Sequence, residues 1–554
     1  MCKEIILQSQ IIDNLINYWG DELYIPIYSF PHNIIPHTGC TTNTFIRSYF
    51  VKNNEEDLTK IMQESDIDVT SFEPGFAHYG DGSVIYNKFN NEINAEPLII
   101  ERNFNGLKDD KIEVLEEFRL IFNLYYDESK KIYYDLKNDT PVIKIEDSII
   151  TVHKKYLKEY LAIKNICLIL FIDNRVFFND QNIFENLQSE NLLKSNCIET
   201  NYRYDLSIAQ NDPSGDEPKY FSMLYGKKII FPIDVSHCDI WPYNENKQKE
   251  YENFIMGSDD KGNPIKFSCN PANLNNFFNP NTENPHYLTP IFFKPEVLKK
   301  YLDDDRYTVE DGIIRYGSIW SLYIDNQLPD CVSAYLGDLG RDLPYIEQKY
   351  WASFNILDGN ISQVRYKRDF LVQATEPSSP IFRLQNKYKE VNNLFFNQFN
   401  TNILLELSKQ DQYNLDSLHL PSDHSISDLD KQVLSLTKVL IDSLNENWIK
   451  ANLNMLRISE ANLKGISALE KLFQTNNVAN YSDHIQFLRN LQNLRSSGSG
   501  HRKGDNYKKC SKKFNISENN YRQPFIEILE KSILFLEFLK DNITIFKKQI
   551  IVYK

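Results

Sequence analysis

The chain has 554 residues, 42% hydrophobic and 13% aromatic, with 33 Tyr and 34 Phe. That length exceeds one ordinary core and implies about two to four domains, and so apolar a composition excludes disorder over long spans. A formal net charge of −15 excludes a surface coated throughout for nucleic acid.

The opening segment, MCKEIILQSQIIDNLINYWG, has no apolar run ahead of a small-residue cleavage site, so no secretory signal is read there. The longest apolar runs, such as ICLILFI at 166–172, fall well short of the roughly 20 residues a membrane helix needs. A soluble, cytoplasmic protein without a membrane partner is expected. His32 and His37, in SFPHNIIPHTGC with Cys40, are the closest His-His-Cys grouping. Their spacing is loose, and a proline-rich loop is the expectation.

The first 400 residues read as mixed α+β. Short β-like runs (VIYNKF, PLIIE, PVIKI, ICLILFI, KIIFPIDV and LYID) stand between Asn, Asp, Gly and Pro clusters. Helical pieces are expected from Lys111 to about Asn123 and from Lys154 to Lys164. The aromatics Phe118, Phe122, Tyr125 and Tyr126 then fall at helical spacing and read as core. Boundaries are placed near 150 and in ATEPSSPI, 374–381, which divides the chain into 1–150, 151–380, a linker or helical connection at 381–424 and a terminal domain at 425–554.

Other candidates in this region read as structural. His237 sits in FPIDVSHCDIW beside Asp234, Cys238 and Asp239, with no second His at ligand spacing. YLGDLGRDLPYIEQKYW, 335–351, gathers Asp338, Arg341, Asp342 and Glu347, with Gly337 and Gly340 expected to bracket a turn and the charges to form an internal ion-pair network. The eight cysteines never stand at C-x-x-C spacing, so no zinc ribbon is expected, and no glycine-rich loop ends in Gly-Lys-Ser/Thr. No metal or cofactor is assigned.

Residues 401–554 differ. Twenty of the 22 prolines precede them, and they hold 21 Lys+Arg against 17 Asp+Glu. Proline breaks helix interiors, so its scarcity marks a helical domain. Ser427 with Asp430 reads as a capping box, followed by Leu429, Val433, Leu436, Leu440 and Leu444 at helical spacing. A second helix is expected over 454–475, with Leu463, Ile466, Leu469 and Phe473 inward. A third starts near Ser482 and carries Ile485, Leu488 and Leu491. The last begins around Pro524, with Ile528, Leu529, Leu536 and Leu539 inward. Four such helices make a bundle.

Within it lies LRSSGSGHRKG, residues 494–504. Between Arg489 and Lys513 eight cations (Arg489, Arg495, Arg502, Lys503, Lys508, Lys509, Lys512 and Lys513) face one acid, Asp505. Gly498 is expected to stop the helix in a left-handed conformation, so that His501 folds back toward Arg495. An imidazole can move a proton near neutral pH, and a guanidinium can grip phosphate oxygens. The ribose 2′-OH supplies an internal nucleophile, so this pair is enough for metal-free RNA cleavage.

Arg495-SSGSG-His501, late in a helical bundle, resembles the Arg-x4–6-His signature of HEPN-domain ribonucleases. The resemblance covers about 425–550. The family's polar residue after the arginine is most often Asn, Asp or His, and here it is Ser496. The resemblance implies an all-α HEPN-like bundle behind an α+β region, and a homodimer or higher homo-oligomer in which two motifs meet. It implies Arg495 and His501 as catalytic residues in an anti-phage, abortive-infection or toxin endoribonuclease. Ser496, Arg489, Arg502, Lys503, Lys508 and Lys509 are assigned to RNA binding, and the acidic N-terminal region to sensing, with a phage-derived trigger as a candidate partner. That region resembles uncharacterised bacterial proteins, in EPGFAHYGDGSVIY (73–86) and EEFRLIFNLYYD (116–127). The alternative is a non-catalytic dimer that binds nucleic acid or another partner through the basic loop 489–513.

Overall fold

The longest strand of the first half, Ile166–Phe178, shows how sequence becomes structure here. Its leading ICLILFI is buried almost without interruption, as befits a strand covered on both faces, and its second half alternates. In this computed structural model it pairs antiparallel with Thr41–Lys52 on one side and Tyr220–Ile230 on the other. The structure describes residues 2–30, 33–34, 40–63, 75–78, 80–87, 95–211, 218–244, 249–277, 283–408, 410–455, 463–498 and 504–547. The chain divides into two compact units, Met1–Gln248 and Lys249–Lys554.

In the first unit, the sheet built on Ile166–Phe178 continues outward from Tyr220–Ile230 through Tyr202–Gln210 to Lys194–Ile198. A second, five-stranded sheet runs in the order Tyr24–Ser29, Ile149–His153, Thr140–Ile145, Ile132–Asp135, Tyr125–Asp127. The expected helix Lys154–Lys164 forms at those residues. His153 Nδ1 accepts from the Lys155 N–H at its start, and Asn165 takes a left-handed conformation at its end. Leu157, Tyr160 and Leu161 join Ile27, Val142 and Val152 in one core. Three buried cations close helix C-termini. Lys228 Nζ donates to the carbonyls of Leu15 and Ile16, Lys227 to that of Ile61, and Arg203 to those of Met62 and Gln63. Each places positive charge at the negative end of a helix dipole.

Two expectations are corrected in this unit. Lys111 to Asn123 is not one helix. Lys111–Val114 is a strand paired with Ile99–Arg102, and the helix spans Glu116–Ile121 alone. KIEV has period two, and a hairpin partner lies close upstream, so sheet pairing wins. Tyr125 and Tyr126 therefore lie on a strand and are exposed, while Phe118 is core. KIIFPIDV is strand only to Ile230, because Pro232 cannot extend the ladder.

The second unit begins with small sheets. Asn253–Ser258 pairs with Pro264–Ser268, and Pro290–Phe293 lies between Val332–Tyr335 and Asn355–Ile356. Tyr307–Glu310, Ile313–Tyr316 and Trp320–Tyr323 form a meander. Gly337 and Gly340 do not bracket a turn but lie inside the helix Leu336–Asp342. A Cβ at Gly340 would stand 1.8 Å from the Cys269 carbonyl oxygen, and one at Gly337 would enter the Tyr287 ring. Both glycines permit close packing.

The rest is helical. Pro380–Phe399 is a helix within the stretch expected as a linker or helical connection, with proline in its first turn and a left-handed Asn400 after it. It runs alongside Arg522–Lys547, joined by Arg383–Glu530 and Lys540–Glu390 ion pairs at 2.6 and 2.7 Å. Its Ile381, Leu384, Val391 and Phe395 share one core with Leu429, Leu469, Leu488, Phe525 and Leu536. The cap of Ile426–Thr437 is Ser425 rather than Ser427, since the Ser425 Oγ accepts from the Asp428 N–H. The single helix expected over 454–475 is instead Glu446–Met455 and Gly465–Thr475. Residues 456–462 lie outside the described ones. Glu446 Oε1 accepts from the Gly465 N–H at 2.7 Å and ties the two helices together. Among the described residues no helix is long and apolar enough to cross a membrane.

Candidate functional site

Ser482–Gly498 packs Ile485, Leu488, Leu491 and Leu494 into the core, which leaves Arg495 on its last turn. A cation there complements the helix dipole. Arg495 reaches Asp442, whose carboxylate oxygens accept from Nη1 at 3.0 and 2.8 Å. One guanidinium nitrogen thus serves both oxygens, unlike a parallel two-nitrogen fork. The side chains are 29% and 42% exposed. An ion pair this open contributes about 0.2–1 kcal/mol and is screened by salt.

Asp442 reaches this position through the backbone. The helix Ile426–Thr437 widens into a π turn over Lys438–Asp442. Ser443 closes the turn, its N–H and its hydroxyl both donating to the Lys438 carbonyl at 3.1 and 2.6 Å. Such turns recur at functional sites because they rotate the following side chain off the regular helical face.

Gly498 ends the helix as expected, but not in the left-handed conformation. Its part is closeness. A Cβ there would stand 2.8 Å from Asp430 Oδ1 and 3.4 Å from the Tyr507 ring. Burial, with the Asp430 charge nearby, pushes the Tyr507 phenol up to about 12. Two carboxylates from one helical segment, Asp430 and Asp442, therefore flank the end of the arginine-bearing helix.

His501, Arg502 and Lys503 lie outside the described residues. Ser496 Oγ donates back to the Gln492 carbonyl at 2.9 Å, so its hydroxyl is turned to its own helix. Arg489 pairs with Glu470 at 2.5 Å. Lys508, Lys509, Lys512 and Lys513 are exposed on and just after the helix Asp505–Lys512, whose Tyr507 and Ser511 face inward. The basic window is thus less uniform than its sequence. Glu470 and Asp442, distant in sequence, offset two of its arginines, while the lysines form a separate exposed row.

The other candidates sort quickly. His237 is exposed in a short 3-10 turn, where the Asp234 carboxylate accepts from the Ser236 N–H. In 335–351 Arg341 pairs with Asp338 at 2.9 Å and with Asp342 at 2.7 Å. Glu347 is buried and accepts from Lys300 at 2.6 Å and from the Tyr301 hydroxyl at 2.5 Å. His32 and His37 lie outside the described residues. Among the described residues no group of three or more His, Cys, Asp or Glu side chains is placed to hold a metal ion.

Sequence reasoning passed over one built cluster. His419 Nε2 meets Asp428 Oδ1 at 3.2 Å, and its Nδ1 lies 2.9 Å from the Ser417 carbonyl and 3.1 Å from Gln432 Nε2. It borders a cavity of about 1300 Å³. Both ring nitrogens are already engaged, which suits a structural histidine better than an acid–base catalyst. Burial alone would raise the Asp428 carboxyl. The His419 hydrogen bond and charge, the Ser422 N–H and Lys299 outweigh it and hold the group below the usual range.

No family model matches this chain, nor does any curated protein or any solved structure.

Proposed function

We propose that the helical part of the second unit carries a metal-independent endoribonuclease of the HEPN type, with Arg495 and His501 as its reacting pair. The supporting observation is the placement of Arg495. It stands on the last turn of a bundle helix that ends at Gly498, three residues before His501, and it pairs with the partly exposed carboxylate of Asp442. In this reading phosphate oxygens take over the guanidinium from Asp442, and His501 moves a proton at the 2′-OH or the leaving 5′-oxygen. The 2′-oxygen bonds to phosphorus, the P–O5′ bond breaks, and a cyclic phosphate and a 5′-hydroxyl result. A second copy of the chain supplies the second imidazole, so that one acts as base and one as acid. The cellular role proposed is anti-phage defence, with the first unit as its sensing part.

The test uses the full chain. Arg495→Ala and His501→Ala should each abolish RNA cleavage while leaving the melting temperature near that of the parent, and cleavage by the parent should persist in EDTA. Cleavage that survives both substitutions rejects the assignment.

A second reading is a non-catalytic binding protein. The exposed row Lys508, Lys509, Lys512 and Lys513 favours it, because a polyanion needs no imidazole there. Under it His501→Ala changes nothing, and binding falls steeply with salt.

A further inference from the structure

Arg119, in the first unit, forms no ion pair with a described residue. Its backbone is fixed, with the N–H donating to the Leu115 carbonyl and its carbonyl accepting from the Leu124 N–H. Its Nε is buried and has no hydrogen-bond partner among the described residues. Two acids close by, Glu113 and Glu101, are engaged elsewhere. Glu113 pairs with Arg102 at 3.3 Å and Lys111 at 3.5 Å, and Glu101 accepts from the Tyr28 hydroxyl. A buried guanidinium donor without an acceptor is uncommon in folded proteins and marks a place where a further group belongs.

The place is a cavity of about 880 Å³, within the range of small-molecule sites. Tyr126 and Tyr133 line it with ring centroids 4.5 Å apart, beside the apolar Ile112, Val114 and Ile145. Its rim carries Asp110, Glu116, Glu128 and Glu146, none in an ion pair with a described residue. That rim decides the ligand's charge. Lys111 and Lys131 also line the cavity, but each pairs with a carboxylate there, Glu113 and Asp147. A polyphosphate or nucleic acid would therefore set several negative charges against the four remaining carboxylates for the gain of one unpaired guanidinium. A ligand with one carboxylate and one ammonium satisfies both sides, and a planar apolar body suits the two rings.

We infer that this cavity is a binding site for a small aromatic zwitterion, an amino acid or short peptide, with its carboxylate on Arg119 and its ammonium toward the acidic rim. The site is independent of the proposed nuclease and does not rest on it.

Titration of the full chain with L-phenylalanine, followed by calorimetry or ligand-observed NMR, tests the site. Phenylalanine should bind. Phenethylamine, which lacks the carboxylate, and 3-phenylpropionate, which lacks the ammonium, should each bind about tenfold more weakly or worse. Arg119→Gln should weaken phenylalanine by about tenfold and leave phenethylamine unchanged. Tyr126→Ala alters an exposed ring, and should weaken all three probes in a chain that still folds. No binding of phenylalanine, equal binding by the Arg119→Gln chain, or tighter binding of ATP than of phenylalanine overturns the inference.

Discussion

Arg495 Nη1 donates to both carboxylate oxygens of Asp442, a residue 53 positions earlier, at 3.0 and 2.8 Å. The pair joins the end of one helix to a π turn in another. Because it is open to solvent, it holds the side chain without locking it.

Asp442→Asn should therefore weaken the hold on Arg495 at little structural cost. The proposed nuclease should gain up to about fivefold in single-turnover RNA cleavage, corresponding to about 1 kcal/mol. The melting temperature should move by no more than a few degrees. A large fall in cleavage would show instead that Asp442 aims the guanidinium.

Lys508→Glu with Lys509→Glu tests the exposed lysine row. RNA affinity at low salt should drop, and the dependence of log affinity on log salt should flatten by about one for each phosphate that is no longer neutralised. Filter binding over a salt series measures this. An unchanged slope removes these lysines from the interface.

Gly340→Ala should destabilise the second unit by about 3 kcal/mol or more, since its Cβ would stand 1.8 Å from a backbone carbonyl that cannot swing aside. Gly498→Ala meets the far end of the Asp430 side chain at 2.8 Å, which can rotate away, and should cost about 1 kcal/mol or less. Chemical denaturation of the two variants checks the contrast.

Asp428 should make the second unit sensitive to acid. Its carboxyl lies below the usual value in the folded chain despite burial. The stability this confers is complete above the unfolded pKa of about 3.9 and drains away as pH falls through the folded one. Asp428→Asn should lower stability at pH 7 by about 1–2 kcal/mol and flatten its pH dependence below about pH 4. Urea melts at pH 7, 4 and 3 read both effects.

Much of the helical region was legible locally. Leu429, Leu469, Leu488 and Leu536 recur at helical spacing with their neighbours, and all are buried. The strand at Ile166 and the helix at Lys154 were equally plain, because apolar runs and caps act over a few residues. Lys111–Val114 was misread because its hairpin partner, not its own propensity, decided it. The helix Pro380–Phe399 was masked by the prolines at and before its start, although proline is welcome in a first turn.

At the candidate site the same division holds. Arg495, Gly498 and the run of lysines are visible in the sequence because they are close together in it. Composition and periodicity also determined the α+β region and the helical end, since burying apolar stripes needs only short-range order. Tertiary structure alone decided that Asp442 and Glu470 offset two arginines, that Asp430 lies against Gly498, and that Arg119 Nε is left without an acceptor among the described residues. Electrostatic partners meet through space across dozens of residues, and no local pattern encodes which helix ends up beside which.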